Sequence, residues 1–198
     1  MAGDRAAPLR ALGGIGRSLW WAFRRRRAVA PGEVPLSCTS RIGVLLWATV
    51  LLSPVELVAV HLLLPWGTAR WVLGVVSLVA LVATLGLAFS FQQHPHVLGA
   101  DRLVLRFAHL REVVVTTADV RGARAATTVD HRRTLEVGDG AVTLSVLGES
   151  SVRLLLRPGA TVLVDGAPVA AEQVTFFADD PRAAVRELRT RTAAGARD

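Results

Sequence analysis

The residue best placed to do chemistry is Glu56, an acid inside the apolar run from Ile42 to Leu64. An ionised carboxylate in mid-bilayer costs several kcal/mol, so the group has to be neutral or paired there. Thr49, Ser53 and Glu56 follow one another at spacings of four and three, which sets them on one seam of a helix. In the second apolar run, Trp71 to Phe91, the residues Gly74, Ser77, Leu81, Thr84 and Ala88 keep a three–four repeat. In an antiparallel hairpin turning near Gly67, Glu56 falls level with about Val79 and within reach of Ser77. Thr49, Ser53, Glu56, Ser77 and Thr84 then form an intramembrane polar seam. Three readings are open for it: hydrogen-bonding glue between the helices, a contact with a partner or a second copy, and a proton or ion relay in a small transporter or channel accessory subunit. A relay normally needs several ionisable groups in the membrane. Only His61 is nearby, close to the outer interface, where it reaches the headgroups.

His94 and His96, two positions apart on an extended segment, can point the same way. A metal site needs three or four ligands, and no Cys, His or Asp cluster supplies the rest at a recognisable spacing. Pro95 reads instead as the end of a helix in a juxtamembrane turn. The one cysteine, Cys38, can form no internal disulfide. Arg10, Arg17 and the run Arg24 to Arg27 interrupt the early chain, so no apolar signal core precedes Cys38, and neither a lipoprotein nor a cleaved secretory signal is expected. There is no nucleophile elbow, phosphate-cradling glycine loop or paired-carboxylate motif; Gly13-Gly14-Ile15-Gly16 lacks the strand and spacing of such a loop. No enzyme activity, metal, cofactor or small-molecule substrate is therefore expected.

The elements that would position these residues begin with two spans, 42–64 and 71–91, each of about the 20 residues that a hydrocarbon core requires. Residues 65–70 make a short external loop. Trp66 and Trp71 flank it at one interface, and Trp47 lies near the other. The formal net charge of +7 is unevenly spread. Residues 1–41 carry eight Arg against Asp4 and Glu33, the spans balance Arg70 against Glu56, and residues 92–198 carry fourteen Arg against thirteen acids. Positive charge beside the first span places both termini in the cytoplasm, in a multi-pass protein of the cell membrane. The C-terminal part is nearly neutral and lacks the basic face of a nucleic-acid binder. Arg24, Arg25, Arg26 and Arg27 form a membrane-surface basic cluster in the N-terminal arm. Residues 8–27 read either as an interfacial helix, on Leu9, Leu12, Ile15, Leu19 and Phe23, or as a flexible arm whose arginines fix orientation. Residues 28–40, with Pro31, Gly32 and Pro35, read as linker.

After the second span the period becomes two. Leu103, Leu105 and Phe107 alternate with Arg102, Val104 and Arg106; Val142, Leu144 and Val146, and then Val152, Leu154 and Leu156, repeat the pattern. Gly138-Asp139-Gly140 reads as a hairpin turn after Leu135–Val137, and Asp165-Gly166 as a second turn. With Val113–Thr117, Val120–Ala125 and Val174–Phe177 this makes about seven short strands. One helix follows, capped by Asp180 with Pro181 at its first position and Ala184, Val185 and Leu188 on its apolar face. The tail, residues 192–198, is expected to be disordered. The fold class is thus a membrane α-helical hairpin plus an all-β, PH-like barrel of about seven antiparallel strands closed by a C-terminal α-helix, over residues 96–191.

Glu56 and His61, the His94-Pro95-His96 element, Asp101 to Phe107 and Asp179-Asp180-Pro181 resemble a family of actinobacterial integral membrane proteins to which no activity is assigned. The C-terminal part is similar to bacterial PH-like domains that follow paired transmembrane helices. That resemblance implies a headgroup-binding loop between the first two strands, here Ala108 to Glu112. His109 and Arg111 are its only donors, too few for a strong phosphate site, so the resemblance implies a protein-interaction platform. The expected partners are the lipid bilayer and a membrane or envelope protein, or a second copy. The expected function is a membrane-anchored scaffold, with an anionic-lipid sensor using Arg24 to Arg27 as the alternative.

Overall fold

The structure, a computed structural model, describes residues 32–63 and 67–194. The cluster Arg24 to Arg27, the segment 8–27, the loop tip 64–66 and residues 195–198 lie outside the described residues. The described chain forms two compact units, one of residues 41–93 and one that joins 32–40 to 94–194.

The first unit is a pair of helices, α1 (Ser40–Leu63) and α2 (Gly67–Gln93), both long and apolar enough to cross a membrane. Little of either apolar stretch is buried, and Leu62 and Leu63 are 76% and 78% exposed. The helices meet where Trp47 packs edge-on against Phe89, with ring centroids 5.9 Å apart, and where Leu57 lies over Gly74.

The second unit holds eleven strands in two sheets. In chain order they are β1 (Val34–Leu36), β2 (His96–Leu98), β3 (Arg102–Phe107), β4 (Arg111–Thr116), β5 (Val120–Thr128), β6 (Leu135–Gly138), β7 (Ala141–Leu144), β8 (Ser150–Leu156), β9 (Thr161–Val164), β10 (Ala167–Ala170) and β11 (Gln173–Phe176). The six-stranded sheet runs β1-β2-β3-β4-β9-β10 and the five-stranded sheet β5-β8-β11-β7-β6. All pairs are antiparallel except β7 with β11. The alternation in β4 and β8 does what its period requires, while in β3 Val104 is buried on the second face as well: Leu103, Leu105, Val113, Val115, Val152 and Leu154 are fully buried in one core with Val142, Val174 and Phe176.

Both expected turns form. Asp139 and Gly140 have φ of 50° and 70° and join β6 to β7; Asp165 and Gly166, at 50° and 84°, join β9 to β10. Two consecutive positive φ values are the hairpin geometry that matches strand twist, and an Asp-Gly pair tolerates it. The C-terminal helix, α3 (Pro181–Ala194), starts as expected: Asp180 Oδ1 accepts the Ala183 N–H at 2.9 Å, and Ala184, Val185 and Leu188 enter the core.

The expected single barrel of about seven antiparallel strands is corrected to two sheets whose pairings close no barrel among the described residues. The four further strands, β1, β2, β9 and β10, all belong to the six-stranded sheet. The segment read as linker contributes β1, where Pro35 is tolerated because an edge strand can spare an N–H. α3 also runs two residues past Thr192, into what was read as tail. Residues 32–40 and 94–194 therefore make one β domain, and the helix pair is an insertion between its adjacent strands β1 and β2, which pair from Val34↔Leu98 to Leu36↔His96.

Candidate functional site

The intramembrane hydroxyls look inward to their own helices. Thr49 Oγ1 donates to the Leu45 carbonyl at 3.0 Å, Ser53 Oγ to Thr49 O at 2.9 Å, and Thr84 Oγ1 to Ala80 O at 2.9 Å. Each is a bond four residues back, which costs no second helix. Glu56 is exposed on the surface of the helix pair, and Ser77 is half-buried; no hydrogen bond joins them. The seam residues are thus placed on the helices but not brought together. Thr49→Val and Thr84→Val are expected to change the unfolding free energy of the helix pair by about 0.5 kcal/mol or less, as read by titrating mixed micelles with a denaturing detergent. A loss above about 1.5 kcal/mol would return these hydroxyls to an interhelical role. His61 and Arg70 line one apolar groove of about 440 Å³ with Leu57, Trp71 and Leu78.

Of the two histidines read as juxtamembrane, His94 and His96, the second joins a cluster built on one short segment, Phe177-Ala178-Asp179. His96 comes from β2 and is fully buried. Its Nδ1 accepts the Arg106 N–H at 3.0 Å, so Nε2 carries the proton and donates it to the Phe177 carbonyl at 2.9 Å. The Phe176 ring meets the imidazole edge-on, centroids 5.5 Å apart. Burial pushes the imidazole down to about 4, against the opposing pull of the Phe177 carbonyl and Asp179. Both ring nitrogens are occupied, so His96 has none to give a metal. Among the described residues no three His, Cys, Asp or Glu side chains gather as a metal site would need.

Next along the segment, Ser151 Oγ accepts the Ala178 N–H and donates to its carbonyl, both at 2.8 Å. Asp179 then reaches the residues that lead out of β1. Its carboxylate accepts the N–H groups of Thr39 and Ser40, each at 3.0 Å, and both the Ser37 and Ser40 hydroxyls; its own N–H donates to the Ser37 carbonyl at 2.8 Å. Ser40 is the first residue of α1, where free N–H groups favour an anion. Burial pushes the Asp179 carboxyl up, but the bonds from Ser37, Ser40 and Thr39 outweigh it and hold the group below its ordinary value. Cys38 is buried among these residues. Burial raises its thiol to about 12, although a backbone bond from His96 works the other way, so it stays a neutral thiol and not a nucleophile.

The hub therefore fixes the residues on both sides of the inserted helix pair: Ser37 to Ser40 where the chain leaves the β domain, and His96 where it returns. The sequence marked His96 and Asp179 but gave no sign that they share a site. The bonds that tie them to distant parts of the chain span 81 residues for His96 with Phe177 and up to 142 for Asp179 with Ser37. Of the two donors the sequence offers in the loop after β3, His109 and Arg111, the second is engaged within the domain: Arg111 pairs with Asp165 at 2.7 Å.

In class, the chain is a helix hairpin of membrane-spanning length inserted into a two-sheet β domain. Comparison with protein-family models, with curated proteins and with solved structures finds no match to it.

Proposed function

We propose that the protein is a non-enzymatic, membrane-anchored scaffold, whose helix hairpin holds a PH-like β domain at the cytoplasmic face of the cell membrane for contact with another membrane or envelope protein. The observation that carries this reading is the pairing of β1 with β2 on either side of the hairpin. Strands hydrogen-bonded to each other lie on the same side of a bilayer, so a hairpin inserted between them has to go out and come back. The arginines before the first span then favour the cytoplasm for that side. Further support comes from the groups that could do chemistry. His96, Cys38 and Asp179 are committed to holding the domain together. Glu56, exposed on the helix pair, favours a partner inside the membrane that can accept or neutralise a carboxyl.

Two measurements test the proposal. A cysteine placed at exposed Val137 is expected to stay unlabelled by an impermeant maleimide in intact cells and to react after permeabilisation, with buried Cys38 giving no background. Labelling in intact cells would overturn the orientation. In-cell crosslinking is expected to trap a stoichiometric partner that is lost when the β domain is altered; recovery of the chain alone would overturn the scaffold.

A further inference from the structure

Arg124 on β5 and Arg153 on β8 are direct register partners in an antiparallel pair, so their side chains leave the same face of the five-stranded sheet as nearest neighbours. Like charges in this position destabilise a sheet. Among the described residues neither arginine is paired with an acid. The rung continues from Arg153 to Thr175 on β11, Thr143 on β7 and Glu136 on β6. The two threonine hydroxyls bond each other at 2.7 Å. Glu136 is three strands from Arg153, roughly 14 Å at the usual strand spacing, and its carboxylate is taken by the N–H groups of Arg132 and Arg133, at 2.9 and 3.0 Å. Arg153 Nε is buried with no hydrogen-bond partner, although guanidinium donors are among the most costly to leave unmet. Two residues along β8, and so on the same face, Leu155 is 42% exposed.

We infer that this face binds an acidic segment of a partner protein, a carboxylate lying between the Arg124 and Arg153 guanidiniums and an apolar side chain covering Leu155. The partner's carboxylate removes the repulsion between the arginines, in the bidentate geometry that suits guanidinium. Arg153 and Leu155 are about 7 Å apart along the strand, which is also the spacing of alternate residues in an extended peptide. The recognised pattern is therefore an acid and an apolar residue separated by one position. The face is a sheet surface and not an enclosed cavity, which favours a peptide over a free small anion. The inference rests on the scaffold reading and names the chemistry of its partner.

The test uses the full chain in nanodiscs of neutral phosphatidylcholine and a fluorescent peptide of alternating Glu-Ser-Leu units, with a Gln-Ser-Leu peptide as control. Anisotropy is expected to show the acidic peptide binding about tenfold or more tightly than the control, and Arg153→Gln to lose about tenfold. Arg124→Glu places a carboxylate opposite Arg153, so it is expected to melt no lower than wild type while losing the peptide altogether. Equal binding of the two peptides, or full binding by Arg124→Glu, would overturn the inference. So would displacement of the peptide by an equimolar amount of inorganic phosphate, which would make this a small-anion site. Preferential capture by phosphatidylglycerol vesicles that is lost in the same variants would give the face to lipid and overturn it as well. If Arg124→Glu keeps the partner trapped by in-cell crosslinking, the scaffold stands and this face is not its docking site.

Discussion

Asp179→Ala is expected to destabilise the β domain by about 3 kcal/mol, with the loss focused on residues 37–40. One carboxylate serves two backbone N–H groups and two hydroxyls there, so a single truncation strands four donors. Hydrogen bonds to a charged acceptor contribute about 1.5–3 kcal/mol each when shielded, but this site is only partly buried and water can reach Ser37 and Ser40, so the total falls well below the sum. Asp179→Asn keeps one acceptor oxygen and should cost roughly half as much. The pH dependence has a definite sign. The folded carboxyl titrates below its ordinary value, so its contribution is complete above about pH 4 and is lost as pH falls through the lower folded value. Urea unfolding of the reconstituted protein gives the magnitude, and amide exchange at Thr39 and Ser40 gives the location. A wild-type midpoint together with unchanged protection at these two amides would show that Asp179 is not what fastens the segment.

The sequence was legible where local chemistry decides structure. Asp139-Gly140 and Asp165-Gly166 are pairs that tolerate positive φ, and Asp180-Pro181 satisfies both of the first demands of a helix. Strand β8 from Val152 to Leu156, and β4 from Val113 to Val115, bury one face and so alternate visibly. In β2 the three residues His96, Val97 and Leu98 are all buried, so there is no alternation to read. β1 carries Pro35, and β10 carries Pro168, both tolerated because each strand is an edge. Hence one sheet was visible nearly whole and the other only at β3 and β4. The hub was illegible for a different reason. Asp179 and Asp180 are neighbours with one residue type, yet Asp180 caps the helix that follows it, while Asp179 binds residues about 140 positions earlier. Only the fold separates their roles. The seam shows the converse: spacing put Thr49, Ser53 and Glu56 on one face, but spacing says nothing about whether a hydroxyl turns to a neighbouring helix or to its own carbonyl.

The second large effect centres on His96. His96→Ala is expected to cost about 4 kcal/mol, because it leaves the Arg106 N–H and the Phe177 carbonyl unpaired in a dry site and opens a void against Phe176. In the wild-type chain the same burial should make stability pH-dependent. The unfolded imidazole takes up a proton near pH 6.5, while the folded one resists until about 4. Between these values the unfolded state binds more protons, so stability is complete above about pH 6.5 and falls as the pH is lowered toward 4, by about 3 kcal/mol in all at 1.36 kcal/mol per unit. Asp179 favours the charged imidazole and Arg106 opposes it, so neither neighbour reverses the direction set by burial. His96→Gln offers one donor and one acceptor without a titrating ring; it should start less stable and show no dependence over that interval. Chemical unfolding of both proteins at half-unit steps from pH 4.5 to 7.5 separates the possibilities. An unchanged slope in His96→Gln would assign the proton uptake to another group, and a flat wild-type profile would mean that His96 charges within the folded domain, which the two bonds to Arg106 and Phe177 do not allow without breaking one of them.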